Sequence, residues 1–144
     1  MNRRSRRNGW VAALLLAACV AHPYRDQYLP DPTTDALEGD YQRLQGQWVV
    51  VYNELKGIDL AEMHGAVWTI QGRMMGGERF ILDQTSQPKR IDSDDGRSAR
   101  VLGIYQLDGD QLTVCTGDSG EARPTEFKTS AFSGAILTRF VRKR

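Results

Sequence analysis

Short alternations of apolar and polar residues run through most of this chain, and a period of two residues indicates β-strands rather than helices. From residue 48 onward these stretches are rich in β-branched and aromatic residues, which favour strands. The pattern predicts about seven or eight short strands. The clearest of them lie at 48–52, 66–71, 79–83, 88–91, 99–107, 111–116 and 135–141.

Two Asp-Gly dipeptides, Asp95-Gly96 and Asp108-Gly109, interrupt the second half of the pattern. Both residue types tolerate the positive φ angles of a tight hairpin, so each dipeptide predicts a turn between neighbouring strands. Many strands without a long amphipathic helix predict an antiparallel sheet, either closed into a barrel or folded as a sandwich. A closed barrel of about eight strands is favoured because closure removes exposed edges, and its interior is either filled or wide enough for one small ligand.

Little helix is expected. Leu37, Tyr41 and Leu44 fall on one face of a helix, which predicts a short helical segment at 34–44. A single helical turn is also predicted at 58–63. Before the helix, residues 19–33 contain three prolines among polar residues and show no periodicity, so this segment is interpreted as a flexible tether.

Residues 1–18 have the three-part layout of an export signal, with a basic start followed by an apolar run at 10–18. The run is too short for the roughly 20 residues of a membrane-spanning helix. Leu16-Ala17-Ala18-Cys19 resembles the lipobox of bacterial lipoproteins, which implies cleavage before Cys19 and diacylation of its thiol. The alternative is an ordinary signal peptide cut after Ala21. We expect the protein to be anchored on the periplasmic side of the cell envelope. Val20 is not the Asp that often marks inner-membrane retention, so the outer membrane is favoured.

The predicted signal segment carries most of the apparent basicity of the chain. The whole chain has 19 Lys and Arg residues, and four of them lie in this segment. The rest of the chain therefore has 15 basic against 18 acidic residues, a formal charge of −3. Overall charge therefore gives no support to a nucleic-acid partner. The predicted organisation is a signal peptide at 1–18, a lipidated Cys19 and tether at 19–33, and one β-barrel domain at 34–144.

Three sequence blocks carry a family resemblance: LQGQW at 44–48, LGIYQLDGDQL at 102–112 and RPTEF at 123–127. Together with PKRID at 88–92 and Cys115, they resemble an uncharacterised lipocalin-like domain family that is abundant in planctomycete bacteria. The match covers roughly residues 43–141. The resemblance implies a small up-and-down barrel that is frequently exported, and it implies no established activity.

A second likeness is to lipocalins more broadly, through Gly46-Gln47-Trp48 on the first strand and Arg139 on the last. In true lipocalins a Gly-x-Trp and a late Arg pack together at the closed end of the barrel. A guanidinium over an indole face gains a cation–π interaction and can also bind backbone carbonyls. We therefore predict that Trp48 and Arg139 form a structural barrel floor.

Catalytic motifs have little support in this chain. His64 is the only histidine after the tether, and its place beside a glycine in a loop is typical of a surface residue. The sequence lacks zinc-ligand spacing, a Gly-rich phosphate loop and a serine nucleophile elbow. We therefore predict neither an enzyme nor a cofactor.

Other reactive side chains have structural interpretations. Cys115 lies in a strand-like run and is predicted to be a buried, inert thiol, although a disulfide with Cys19 stays open if the lipobox interpretation fails. Glu126 is predicted to pair with Arg123 or to cap a turn. Five acids near the predicted hairpins are interpreted as solvated turn residues rather than calcium ligands: Asp92, Asp94, Asp95, Asp108 and Asp110.

Ligand binding is the function that the pattern favours. Aromatic residues on or near the predicted strands, Trp68, Tyr105 and Phe127, are expected to line an apolar pocket for a small apolar or amphipathic molecule. Alternation places Tyr105 on the same strand face as Gly103, and that face is predicted to point inward. The alternative is an envelope interaction module with a packed interior, whose loops contact a partner protein.

The lipid anchor makes a direct prediction. Cys19→Ser is expected to move the protein from the membrane fraction to the soluble envelope fraction, because two acyl chains give stable attachment. Cell fractionation and intact-mass measurement check this. Unchanged membrane partition of the variant, with no lipid mass on the wild-type protein, would contradict the lipoprotein interpretation.

Overall fold

The computed structural model describes residues 22–144, and these residues form a closed antiparallel β-barrel. The strands are β1 (Gly46–Leu55), β2 (Ile58–Asp59), β3 (Val67–Gln71), β4 (Met74–Met75), β5 (Glu78–Asp83), β6 (Lys89–Asp94), β7 (Val101–Asp108), β8 (Gln111–Thr116) and β9 (Ile136–Arg142). All except β2 follow one another around the ring in chain order, and β2 extends β1 as a short hairpin. The prediction of an all-β barrel is confirmed. The predicted signal peptide and Cys19 lie outside the described residues.

The barrel closes where β9 pairs with β1. This ladder runs from Trp48 opposite Arg142 to Leu55 opposite Ile136, and it contains a β-bulge between Val50 and Tyr52. An extra residue in one strand changes which of its side chains face the interior. Trp48 and Val50 are buried in the interior before the bulge, and after it the inward position passes to Asn53.

The predicted helix at 34–44 is wrong for most of its length. Within residues 22–144 only α1 (Asp40–Arg43) is α-helical, and two short 3₁₀ turns lie at Arg25–Gln27 and Ala61–Met63. Gly39 adopts a φ of 59°, which ends the helix on its N-terminal side. The preceding residues stay extended, and the carbonyls of Thr34 and Ala36 accept hydrogen bonds from Arg73 Nη2 at 2.8 and 2.9 Å.

The predicted tether also needs correction over its second half, because residues 27–31 are bound to the outer face of the barrel. The Leu29 amide donates to Asp92 Oδ2 at 2.8 Å, and the Leu29 carbonyl accepts from Arg100 Nη1 at 2.8 Å. The Gln27 carbonyl accepts from Arg123 Nη2 at 2.7 Å. These bonds fix the segment against β6 and β7.

Asp92 is the centre of this outer-face network. It was expected to be a solvated turn residue, but it lies within β6 and is 0 % exposed. Its Oδ1 lies 2.7 Å from Arg123 Nη2, and Arg123 Nη1 also donates to the Gly103 carbonyl at 2.8 Å. A buried carboxylate requires such partners because burial without them is very costly. The pair therefore joins β6, β7, the N-terminal segment and the loop after β8.

Removal of the Asp92 carboxylate is expected to destabilise the domain strongly. Asp92→Ala leaves the Arg123 guanidinium buried without its counter-ion, and such a change costs about 3–5 kcal/mol. Urea unfolding followed by tryptophan fluorescence measures this loss. Glu126→Ala is the matched control, because Glu126 pairs with Lys128 at 2.8 Å on the exposed surface and should cost less than about 1 kcal/mol. Equal losses in the two variants would contradict the assignment.

Candidate functional site

The interior of the barrel is hollow at one end. A cavity of about 380 Å³ lies inside the strand ring, and every strand of the closed ring contributes to its wall. Glu78, Val101, Thr116 and Ile136 line its rim, and each is the first or last residue of its strand. Below them the wall is apolar, and it includes Met75, Phe80, Ile91, Val114 and Phe140.

The opposite end of the barrel is filled. Leu44, Trp48, Tyr105 and Leu112 are almost completely buried there. The Trp48 indole Nε1 donates to the Leu44 carbonyl at 2.8 Å, which ties the end of α1 to the first strand. The interior is therefore packed at one end and hollow at the other, where the cavity reaches the rim.

The arginine on Trp48 is Arg142, and the prediction of Arg139 is wrong. The Arg142 guanidinium carbon lies 4.4 Å from the Trp48 ring centre, and its nitrogens donate to the carbonyls of Gln45 at 2.8 Å and Arg43 at 2.6 Å. The expected contact types are therefore present, three positions further along β9. An odd shift of three places the two arginines on opposite faces of the strand.

Arg139 lies on the outer surface. Its guanidinium carbon is 5.1 Å from the ring centre of Tyr52, its partner across the β1–β9 ladder. The Tyr52 hydroxyl in turn bonds the Glu54 carboxylate, which also accepts a bond from Thr129. This half-exposed cluster lies on the outside of the barrel seam and is separate from the floor.

A buried charge network holds the closed end. Asp40 is 1 % exposed, and its Oδ2 accepts bonds from Lys89 Nζ at 2.6 Å and from the Tyr105 hydroxyl at 2.8 Å. Burial alone would raise the pKa of Asp40, but these bonds and the charges of Lys89 and Arg43 outweigh it and hold that pKa below its usual range. Burial, and then the bond to the Asp40 carboxylate, raise the pKa of Tyr105.

The three predicted ligand residues do not meet in one place. Trp68 lines the cavity, with its ring centre 5.5 Å from that of Phe140. Tyr105 faces the interior, as its alternation with Gly103 predicts, but it belongs to the packed closed end. Phe127 packs against an outer cluster around Ile104. The prediction that Tyr105 and Phe127 share a pocket with Trp68 is therefore wrong, although both border a separate hollow of about 230 Å³ near the closed end.

Sequence reasoning missed the segment that covers the cavity. This segment is the connection between β1 and β3. Leu60 directly precedes the 3₁₀ turn Ala61–Met63, Met63 is the last residue of that turn, and both side chains line the cavity. The Leu60 amide donates to the Asn53 carbonyl at 2.7 Å, which holds the segment over the barrel. The sequence pattern predicts one helical turn at 58–63, and the spacing of the apolar residues in that turn is the signal that could have identified this segment. His64, at the end of the turn, is exposed and lies 2.8 Å from Asp59.

Few polar groups face the cavity. Asn53 Nδ2 donates to Thr138 Oγ1 at 2.9 Å in the wall, and at the rim Ser93 Oγ donates to Glu78 Oε2 at 2.9 Å. An apolar wall with a small number of placed polar groups is typical of small-molecule pockets. A larger hollow of about 680 Å³ lies outside the barrel wall, but much of its lining is polar, including Arg90 and Arg123. The interior cavity is therefore the candidate binding site.

The remaining reactive groups have structural roles. Cys115 is fully buried and makes no disulfide with any of the described residues 22–144, and burial raises its pKa, which opposes thiolate chemistry. Glu126 pairs with Lys128, so its expected pairing with Arg123 is wrong. Within residues 22–144 no group of three or more His, Cys, Asp or Glu side chains is arranged to hold a metal ion.

Comparison with models of known protein families, with curated proteins and with solved structures finds no match. The family resemblance of the sequence blocks therefore stays a prediction. In the described part of the chain, no helix has the length and apolar character needed to cross a membrane.

The Tyr105 hydroxyl is expected to matter for stability and not for the cavity. Tyr105→Phe removes a hydrogen bond to a buried carboxylate, at a cost of about 1.5–3 kcal/mol, and should leave binding of an apolar probe unchanged. The folded-state pKa of Asp40 lies below the ordinary Asp pKa of 3.8, so the carboxylate stabilises the fold at pH values above 3.8. This stabilisation is lost as the pH falls through the folded-state pKa.

The decrease in the free energy of unfolding caused by Tyr105→Phe should therefore have its full size near neutral pH and should become smaller below about pH 4. Chemical unfolding at several pH values measures this. Tyr52→Phe is the matched control, since the Tyr52 hydroxyl bonds a carboxylate on the half-exposed outer surface and should cost less. A Tyr105→Phe variant with wild-type stability and impaired probe binding would show instead that Tyr105 contacts ligand.

Proposed function

We propose that this protein binds a small apolar or amphipathic molecule in the open half of its barrel. The observation that carries the proposal is the interior cavity of about 380 Å³, which falls within the range of about 300–1,000 Å³ typical of ligand pockets. Its wall is built from inward-facing side chains of rigid strands. The site is therefore largely preformed and needs little ordering when a ligand enters.

The energetics of the hollow support a binding role. A sealed apolar void of this size would cost about 9 kcal/mol at roughly 24 cal/mol per Å³, which is comparable to the whole stability of a small domain. Because the cavity reaches the barrel rim, water can fill it. Water in an apolar cavity has few hydrogen-bond partners, so its displacement by an apolar molecule is favourable.

A second candidate function is contact with a partner protein through the loops. Phe132 in the loop after β8 is fully exposed, and Ile58 at the β1–β2 hairpin is 66 % exposed. This alternative would be favoured if the barrel interior were packed. The cavity shows that part of the interior is hollow, which favours ligand binding. The two functions differ in what binds, so a small apolar probe separates them.

We further propose that the domain belongs to a cell-envelope lipoprotein, anchored on the periplasmic side of a membrane. The support for this is the basic start, the short apolar run and the Leu-Ala-Ala-Cys pattern that ends at Cys19. The same membrane would bring an anchored barrel close to amphipathic molecules. Loss of membrane partition in Cys19→Ser tests the anchor independently of any ligand.

Obstruction of the cavity should abolish binding. Val114 lines the cavity from β8, and Val114→Phe adds a ring to that space. The variant is expected to bind N-phenyl-1-naphthylamine at least about tenfold more weakly than wild type, because the probe and the new ring compete for one volume. Titration followed by probe fluorescence measures this.

Val67→Phe is the matched control, because Val67 is 43 % exposed on the outer face of β3. It receives the same ring outside the barrel and should bind the probe as wild type does. Thermal unfolding of both variants checks that each is folded. Absence of probe binding to the wild-type protein, or equal binding by Val114→Phe and wild type, would overturn the proposed function.

A further inference from the structure

We propose that the cavity selects amphipathic ligands with a cationic head group, such as an alkylammonium ion, over ligands with a carboxylate head. This inference rests on the proposed function and adds the charge of the ligand to it. It follows from the one charged side chain among the described residues that line the cavity and from the ion pairs that two nearby arginines already make, and the apolar wall accommodates the ligand chain.

Glu78 alone is charged among the described residues that line the cavity. It is the first residue of β5, so it stands at the rim, and it is exposed to solvent. Ser93 Oγ donates to its Oε2 at 2.9 Å, which orients the carboxylate. A carboxylate has about four acceptor positions, and this hydroxyl occupies one of them. The rim therefore presents an oriented acceptor and a negative charge to an entering head group.

Two arginines close to the rim strands are already paired with acids: Arg79, which follows Glu78 in β5, and Arg100, which directly precedes β7. Arg79 Nη1 lies 3.0 Å from Asp31 Oδ1, and its Nη2 lies 3.1 Å from Asp94 Oδ2. Arg100 contacts the same two acids at 3.2 and 3.3 Å. An anionic head group at the rim would have to displace one of these partners, and it would also meet the Glu78 charge. Both effects disfavour a carboxylate ligand.

The wall below the rim suits the alkyl chain of such a ligand. Trp68, Phe80 and Phe140 present aromatic rings to the cavity. These rings offer a large apolar surface to an alkyl chain. Met63 and Met75 add polarisable thioethers that adapt to the shape of an alkyl chain. A cationic head at Glu78 with its chain directed toward Val114 satisfies both the rim and the wall.

Three probes of ten carbon atoms in a linear chain test the head-group preference: the decylammonium ion, decan-1-ol and decanoate. Each competes with N-phenyl-1-naphthylamine for the wild-type protein at pH 7.5, low salt and concentrations below micelle formation. We expect the ammonium probe to bind about tenfold more tightly than decanoate, with the alcohol between them, because a solvent-exposed charge contributes about threefold each way. The preference should shrink in 1 M salt, where the Debye length is about 3 Å.

Glu78→Gln is expected to bring the ammonium and carboxylate affinities to within about twofold of each other, while the affinity for decan-1-ol stays unchanged. Glu62→Gln is the matched control, since Glu62 is an exposed acid on the covering segment that does not line the cavity, and it should keep the wild-type preference. Equal binding of all three probes to wild type would overturn the head-group inference and leave the proposed function intact. Failure of both N-phenyl-1-naphthylamine and decan-1-ol to bind would overturn the proposed function itself.

Discussion

Pairing of β9 with β1 is the constraint on which the rest of this structure depends. Without that ladder the sheet would be open, with two exposed edges and an unprotected inner face. Closure turns the inner face into an enclosed space, and the bulge between Val50 and Tyr52 sets which residues of β1 line it. It also brings Arg142 opposite Trp48, which gives the barrel its floor. The cavity and the floor are therefore both consequences of how the two terminal strands meet.

The interior divides into two halves with different physical roles. At the closed end Trp48, Tyr105 and their neighbours fill the space, and the buried Asp40 carboxylate is matched by Lys89 and Tyr105. At the open end the side chains do not fill the space around the barrel axis, and a cavity of about 380 Å³ remains. The packed half supplies the stability that allows the other half to stay hollow. Outside, the buried Asp92–Arg123 pair holds the N-terminal segment against the barrel wall.

Local patterns predicted most of the fold, and long-range contacts account for most of the errors. The Asp108-Gly109 dipeptide predicted the β7–β8 hairpin, and the strand at 111–116 has the predicted bounds. Both faces of β9 carry apolar residues because Phe127 covers one from outside, so alternation could not separate Arg139 from Arg142. The burial of Asp92 depends on Leu29, 63 residues away, and on Arg123 in a distant loop. No local pattern contains such information. Trp68 was found from its aromatic strand position, whereas the covering role of Leu60 and Met63 depends on the path of a connection.

Methyl spectra of methionine-labelled protein test most directly whether the barrel interior admits an apolar molecule. Met63 and Met75 line the cavity, whereas Met74, next to Met75 in β4, is 44 % exposed. Titration with decan-1-ol is predicted to shift the methyl signals of Met63 and Met75 in a saturable manner and to leave the Met74 signal in place. Unchanged signals from Met63 and Met75 at saturating probe, or shifts only at Met74, would contradict the account of a hollow, ligand-accepting barrel.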